Sequence, residues 1–182
     1  MVLRVLLRLC FVPFFAFALT GSALAEHVTA SLVARETSIQ PGRPFTVALR
    51  LVHEAHWHTY WINAGTGYPT KITWQLPAGW SASDIQWPTP KVIRDAQGNV
   101  TGNGYDGDLL LPVVLTPPAN LPAGQSVTLQ AQAEWLMCNA TCVPGEAAVS
   151  LSLPVVDEPP AIDNTWGPAF ARVAAPRSPG ER

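Results

Sequence analysis

Charged residues are scarce in this chain of 182 residues, since Lys, Arg, Asp and Glu make up 13% of it and the formal net charge is −2. That balance excludes the basic surface of a nucleic-acid-binding domain. Three cysteines are too few for a four-cysteine zinc site. After the N-terminal segment, no apolar run reaches the ~20 residues of a membrane-spanning helix. The sequence also lacks a Ser/His/Asp arrangement and a glycine-rich phosphate loop.

Residues 1–25 predict a secretory signal peptide. Arg4 and Arg8 give a positive start, residues 9–19 form an apolar core, and Ala-Leu-Ala at 23–25 matches a cleavage site after Ala25. The alternative is a membrane anchor, but the apolar core is short of the ~20 residues of a span. The mature chain is therefore expected to be exported to an oxidising compartment.

Alternation of apolar and polar residues predicts β-strands. In residues 126–135 apolar and polar residues alternate at every position, as in a half-buried strand. The remaining predicted strands start at Phe45 and Val149 or span 28–35, 57–62, 71–75 and 108–116. Turns rich in Gly and Pro separate them, and helical periodicity is almost absent. The sequence therefore predicts an all-β protein with an immunoglobulin-like antiparallel β-sandwich.

Two segments do not fit the strand pattern. Residues 87–107 are rich in Pro, Gly and Asn and predict a long loop, a feature that is usually functional. After Val156 the chain is rich in proline and loses the alternation. The predicted organisation is a β-sandwich domain at 26–156 and a linker or tail at 157–182, with one helical turn near Phe170.

Cys10 is expected to leave with the signal peptide, so Cys138 and Cys142 remain. In a straight strand their Cα atoms would be ~13 Å apart, whereas a disulfide needs roughly 4.4–6.8 Å. The chain must therefore turn between them if they bond. One interpretation is a structural disulfide, although closing so short a loop stabilises the folded state by only about 2 kcal/mol. The other is exchange, in which one sulfur attacks and its neighbour resolves the mixed disulfide.

A third interpretation of the cysteine pair is metal binding. Two thiols, Met137 and nearby histidines would offer soft ligands for Cu(I), but zinc would need four ligands. No metal and no cofactor is predicted.

Histidines and aromatic residues crowd residues 53–61. On a strand, His56, His58 and Tyr60 would share one face. Such histidines more often lie on or near the surface than bind a metal, and the roles of His53, His56 and His58 stay open. A Tyr hydroxyl or a His ring beside a cysteine could hydrogen-bond its thiolate and tune the thiol pKa.

Together these residues resemble a known family, the N-terminal periplasmic domain of DsbD-type thiol:disulfide interchange proteins, in particular its branch of ScsB-like copper-tolerance proteins. The resemblance covers about 28–156. It rests on the following segments: WHTYWIN at 57–63, GYPTKI at 67–72, WQLP at 74–77, IQWPTP at 85–90, GYDG at 104–107, LLLPV at 109–113, WLMC at 135–138 and CVP at 142–144.

The resemblance implies an immunoglobulin-like sandwich with the cysteine pair at one end. Electrons would arrive from a thioredoxin-like domain or protein fed by a membrane-embedded one. They would leave to a periplasmic disulfide isomerase or a thioredoxin-like protein of cytochrome c maturation. Matched to the family motif, Cys142 makes mixed disulfides and Cys138 resolves them.

The resemblance also implies the surroundings of the pair. His58 and Tyr60 are the matching flanking residues. A loop caps the disulfide in the family, and its counterpart should lie within 87–103, with Trp87, Val92 and Ile93 as candidates. The chain departs from the pattern in two respects, because its cysteines are closer together than in the best-known members and the acidic–aromatic tip of the cap loop is missing.

The sequence contains neither the membrane domain nor the thioredoxin-like domain of the family. We therefore expect a stand-alone copy or a fragment of a membrane reductase, with any membrane partner supplied by another domain or protein. The predicted function is a relay in a protein-disulfide reductase system rather than a self-sufficient enzyme. The alternative is a non-catalytic binding module with a structural disulfide, with or without copper.

Overall fold

The computed structural model describes residues 27–95 and 97–174. The predicted signal peptide and its cleavage site lie outside the described residues. The strands are β1 (Val28–Ala34), β2 (Phe45–His53), β3 (Thr59–Tyr60), β4 (Lys71–Gln75), β5 (Ser81–Ala82), β6 (Lys91–Arg94), β7 (Val100–Tyr105), β8 (Asp108–Thr116), β9 (Ser126–Cys138) and β10 (Cys142–Pro154), and the helix is α1 (Gly167–Ala174). No helix in the described part of the chain has the length and apolarity needed to cross a bilayer.

The strands form three antiparallel sheets. The first has the order β1-β2-β8-β5, the second β10-β9-β4 and the third β3-β7-β6. Side chains from the first two sheets share one core, in which Leu49, Leu111, Leu129 and Trp135 are fully buried. Inward-facing positions alternate along these strands because successive side chains point to opposite faces. The predicted all-β sandwich is confirmed.

The strand predictions at 71–75 and 108–116 match β4 and β8, whereas the predicted loop at 87–107 is wrong in part. That segment contains the antiparallel hairpin of β6 and β7, with a register shift near Ile93. β7 could not be predicted as a strand because two of its residues are glycines, which are uncommon in strands. The absent side chain of Gly104 lets β3 approach, since a Cβ there would lie 2.1 Å from the Thr59 carbonyl oxygen.

The described part of the predicted tail, residues 157–174, packs back onto the sandwich. The Asp163 N–H donates to the Arg35 carbonyl at 2.8 Å. The Asp163 carboxylate in turn accepts from the backbone N–H of Thr165 and Trp166, which caps the turn that leads into α1. Phe170 of α1 is then buried against the first sheet. The domain boundary at 156 stays a prediction.

Candidate redox site

The hairpin of β9 and β10 positions the two cysteines. The strands pair from Ser126 opposite Pro154 up to Cys138 opposite Cys142, which form a disulfide with their Cα atoms 4.1 Å apart. The chain reverses in residues 139–141, where the Asn139 N–H donates to the Thr141 carbonyl at 3.0 Å. The turn that the spacing required is present, and it places the disulfide at the tip of the longest hairpin.

The two cysteines have unequal surroundings. Cys138 is 2% exposed and packs in a small cluster with Tyr60 and Ala64. Its backbone also exchanges two hydrogen bonds of 3.0 Å with His58. Cys142, across the hairpin, is exposed. Because a partner can reach only an accessible sulfur, the fold favours Cys142 as the point of attack.

His58 and Tyr60 both lie beside the disulfide. The Tyr60 hydroxyl is 4.0 Å from the Cys142 Sγ, and His58 Nε2 is 3.4 Å from that hydroxyl. The rings meet edge to face with centroids 5.2 Å apart. The structure therefore places these two predicted flanking residues in a row that ends on Cys142.

The position of the Tyr60 ring depends on Gly67. The sequence did not indicate that these two residues pack against each other. Gly67 has a φ of 70°, and a Cβ there would lie 2.6 Å from the Tyr60 ring. An L side chain is thus excluded both by backbone conformation and by contact. The sequence signal was the Gly-Tyr-Pro segment at 67–69, which marks a turn but does not identify the packing partner.

Behind the flanking residues lies a buried polar contact. His53 Nδ1 is 2.8 Å from the Gly107 carbonyl oxygen, and His53 Nε2 is 2.9 Å from the Thr59 hydroxyl. Burial lowers the pKa of His53 below its usual range. Burial and the nearby His53 also lower the pKa of His58. Both rings are consequently neutral at neutral pH.

The ligands that a copper site would need are not gathered around the sulfurs. Met137 points to the opposite side of β9 from Cys138 and is buried in the sandwich core. His56 is exposed in the turn before β3. Among residues 27–95 and 97–174, no group of three or more His, Cys, Asp or Glu side chains could hold a metal ion.

The three cap-loop candidates lie in two different places in the structure. Val92 and Ile93 of β6 line a cleft of about 600 Å³ together with His58 and Asn139, next to the disulfide turn. Trp87 instead packs on the sandwich core, where it stacks on Tyr105 with ring centroids 6.4 Å apart. That a loop in this region caps the disulfide stays a prediction.

The chain also resembles solved structures. The N-terminal periplasmic domain of ScsB from Proteus mirabilis matches with 24% identity and a TM-score of 0.51, covering 81% of this chain and 55% of that chain. At this identity the likeness concerns the fold. The match to a family 123 glycoside hydrolase from Clostridium perfringens, with 8% identity and a TM-score of 0.30, covers 73% of this chain and 28% of that chain and supports no inference.

A search of curated protein sequences finds no significant match. The family model of the N-terminal region of thiol:disulfide interchange protein DsbD, in contrast, matches residues 28–154. That range contains both sheets of the sandwich, the flanking residues of β3 and the disulfide at the hairpin tip. The chain therefore belongs to the family of DsbD N-terminal domains.

Proposed function

We propose that this domain exchanges disulfides with thioredoxin-like partners in the periplasm, with Cys142 as the attacking sulfur and Cys138 as the resolving one. The observation that carries the proposal is the unequal exposure of the pair, since Cys138 is 2% exposed and Cys142 faces solvent. An attacking thiol must reach a partner, whereas a resolving thiol needs only to reach its neighbour.

The exchange transfers two electrons to the partner. In the dithiol form, the Cys142 thiolate attacks a partner disulfide, forming a mixed disulfide and expelling one partner thiolate. Cys138, as thiolate, then attacks the Cys142 sulfur. The intermolecular bond breaks, the partner leaves with both thiols reduced, and the Cys138–Cys142 disulfide forms. A thioredoxin-like dithiol must afterwards reduce this disulfide by the reverse route.

Tyr60 and His58 support the attacking state without adding a formal charge. Neutral His58 can donate its Nε2 hydrogen to the Tyr60 oxygen, 3.4 Å away. The Tyr60 hydroxyl is then free to donate to the Cys142 sulfur, 4.0 Å away in the disulfide form. A hydrogen bond to a thiolate favours it over the thiol, so this row would stabilise the thiolate form of Cys142.

Family membership supports thioredoxin-like redox partners in general, and the proposal assigns their roles. The electron donor is a thioredoxin-like domain or protein that a membrane-embedded reductase keeps reduced. The acceptor is a periplasmic disulfide isomerase or a thioredoxin-like protein of cytochrome c maturation. The periplasmic location is supported by the predicted signal peptide and by the location of the ScsB domain that shares the fold.

Trapping of mixed disulfides tests the two cysteine roles. Reduced Cys138→Ala, incubated with an oxidised thioredoxin-like protein, should accumulate a covalent complex through Cys142, because no resolving sulfur remains. Cys142→Ala is the matched control and should trap little, since Cys138 is buried. Non-reducing electrophoresis and peptide mass spectrometry measure both. Trapping through Cys138 in the control, with none through Cys142, would reverse the roles.

A reduction potential distinguishes exchange from a structural disulfide. Equilibration with glutathione should place the pair between about −270 and −120 mV, the range of known exchange proteins. A value below about −300 mV, typical of structural disulfides, would instead favour the non-catalytic binding module.

A further inference from the structure

We propose that His53 is a positioning residue of the redox site, which holds Thr59 and thereby sets His58 and Tyr60 against Cys142. The inference rests on the proposed function, since it concerns the reactivity of the same sulfur. His53 makes no hydrogen bond to either cysteine in the described part of the chain, and in this role it would act through Thr59 of β3.

β3, which contains Tyr60 and directly follows His58, is short and makes few backbone hydrogen bonds. β3 contains two residues, and it pairs with β7 through Thr59 opposite Tyr105 and Tyr60 opposite Gly104. One further backbone hydrogen bond follows directly, from the Trp61 N–H to the Asn103 carbonyl at 3.0 Å. On its other side, the single bridge between His58 and Cys138 joins it to β9. So short a strand gains little from backbone pairing, and its side chains must contribute to its placement.

Thr59 is the side chain that can do this. Successive residues of a strand point to opposite faces, so Thr59 points away from the side where His58 and Tyr60 meet the disulfide. It is fully buried, and its hydroxyl bonds to His53 Nε2 at 2.9 Å. A shift of this contact would move both neighbours of Thr59 relative to Cys142.

The chemistry of the contact explains why a histidine suits this place. The Gly107 carbonyl can only accept, so the hydrogen of the neutral His53 ring lies on Nδ1 and is donated to it. Nε2 is then left as an acceptor for the Thr59 hydroxyl. One ring at the end of β2 thus joins the turn between β7 and β8 to the strand beside the disulfide.

Two substitutions on different elements test the role. Thr59→Val removes the hydroxyl at nearly constant shape. His53→Asn keeps a donor near the Nδ1 position but is too short to reach Thr59. In reduced protein carrying Cys138→Ala, each should slow alkylation of Cys142 by iodoacetamide at pH 7 by roughly three- to tenfold, the effect of losing about one hydrogen bond. The rate–pH profile should shift to higher pH, because less thiolate is present.

Three further variants separate positioning from general destabilisation. The double substitution should be no slower than the slower single one, because both break the same contact. Thr59→Ser should retain the parent rate. Thr128→Val removes an exposed hydroxyl that bonds to Ser152 on the same hairpin, and it should leave the alkylation profile unchanged.

A purely structural role predicts a different result. Denaturant unfolding would then show a loss of stability in Thr59→Val and His53→Asn while folded protein kept the parent alkylation profile, and this would overturn the proposal. Should one variant not fold, the other decides. Alkylation that responds as expected in a protein that exchanges with no protein disulfide would refute the proposed function while leaving the positioning role intact.

Discussion

The four-stranded sheet and the sheet of β3, β7 and β6 are stabilised in different ways. In the first, Leu49 and Leu111 face each other across β2 and β8, and both are fully buried among aliphatic side chains. In the second, a buried His–Thr contact and the missing side chain of Gly104 set the geometry. Hydrophobic burial is non-directional and roughly proportional to area, whereas a hydrogen bond requires atoms in defined positions.

The two kinds of stabilisation should affect different properties of the protein. Burial in the first sheet should determine the stability of the fold, and the single contacts around β3 should determine the reactivity of Cys142. Loss of apolar volume in the first sheet should lower the free energy of unfolding and leave the folded redox site intact. Small changes in the sheet of β3, β7 and β6 should alter the reactivity of the Cys142 thiol, because single contacts place the atoms around it.

The largest expected effect is on the first sheet. Leu111→Ala should lower the free energy of unfolding by about 2–5 kcal/mol, since it removes buried methyl groups and leaves a cavity. The rate of exchange with oxidised glutathione, corrected for the folded fraction, should equal that of the parent protein. Denaturant titration and the exchange assay measure the two. A large change in the corrected rate would show that the sandwich core and the redox site are coupled.

A pair of neighbouring glycines provides the next test. Gly67→Ala should cost about 2–3 kcal/mol, because it combines a strained φ of 70° with displacement of the Tyr60 ring. Gly65→Ala is the matched control, since Gly65 has a similar φ of 83° but nothing within 4 Å of an added Cβ. Its strain alone should cost about 1–2 kcal/mol.

The reactivity of the Cys142 thiol should also differ between the Gly67→Ala and Gly65→Ala variants. Displacement of Tyr60 by Gly67→Ala should change the rate–pH profile of Cys142 alkylation, measured in reduced Cys138→Ala protein. Gly65→Ala should not change it. If both substitutions altered the profile equally, backbone strain in the loop rather than the ring position would control reactivity.

The same division explains how far the sequence could be interpreted. Alternation has a period of two and depends only on neighbouring residues, so β4 could be predicted to the residue. The bounds of β8 were also predicted, from a short apolar run rather than from alternation. The hairpin of β6 and β7 could not be predicted, because it depends on the close approach of a distant strand to Gly104. The fold class was thus accessible from local pattern, whereas the third sheet was not.

The candidate site divides in a similar way. The cysteine pair was visible because the chain has only three cysteines, and the resemblance identified His58 and Tyr60. The contact of His53 with Thr59 was not predictable. It requires the chain to reverse through a turn in which His56 adopts a φ of 71°, a conformation that a non-glycine residue seldom takes and that the sequence does not signal.

The smallest expected effect is a pH dependence of the contact that His53, at the end of β2, makes with Thr59 of β3. Burial lowers the pKa of folded His53 below the 6.5 of an ordinary histidine. As the pH falls below about 6.5, the unfolded chain therefore takes up a proton that the folded protein does not yet bind. Proton uptake on unfolding means that stability declines with falling pH. The stabilising contribution is fully present above the unfolded pKa and is lost progressively below it.

Denaturant titrations of the oxidised protein between about pH 5 and pH 8 measure this slope around the histidine pKa. His53→Gln should flatten it in part, with the remainder due to His58, whose pKa burial also lowers. Leu111→Ala should keep the parent slope at a lower overall stability, since no titrating group changes. A slope that His53→Gln leaves unchanged would show that His53 does not carry the linked proton, and the contact behind β3 would then have no pH dependence of its own.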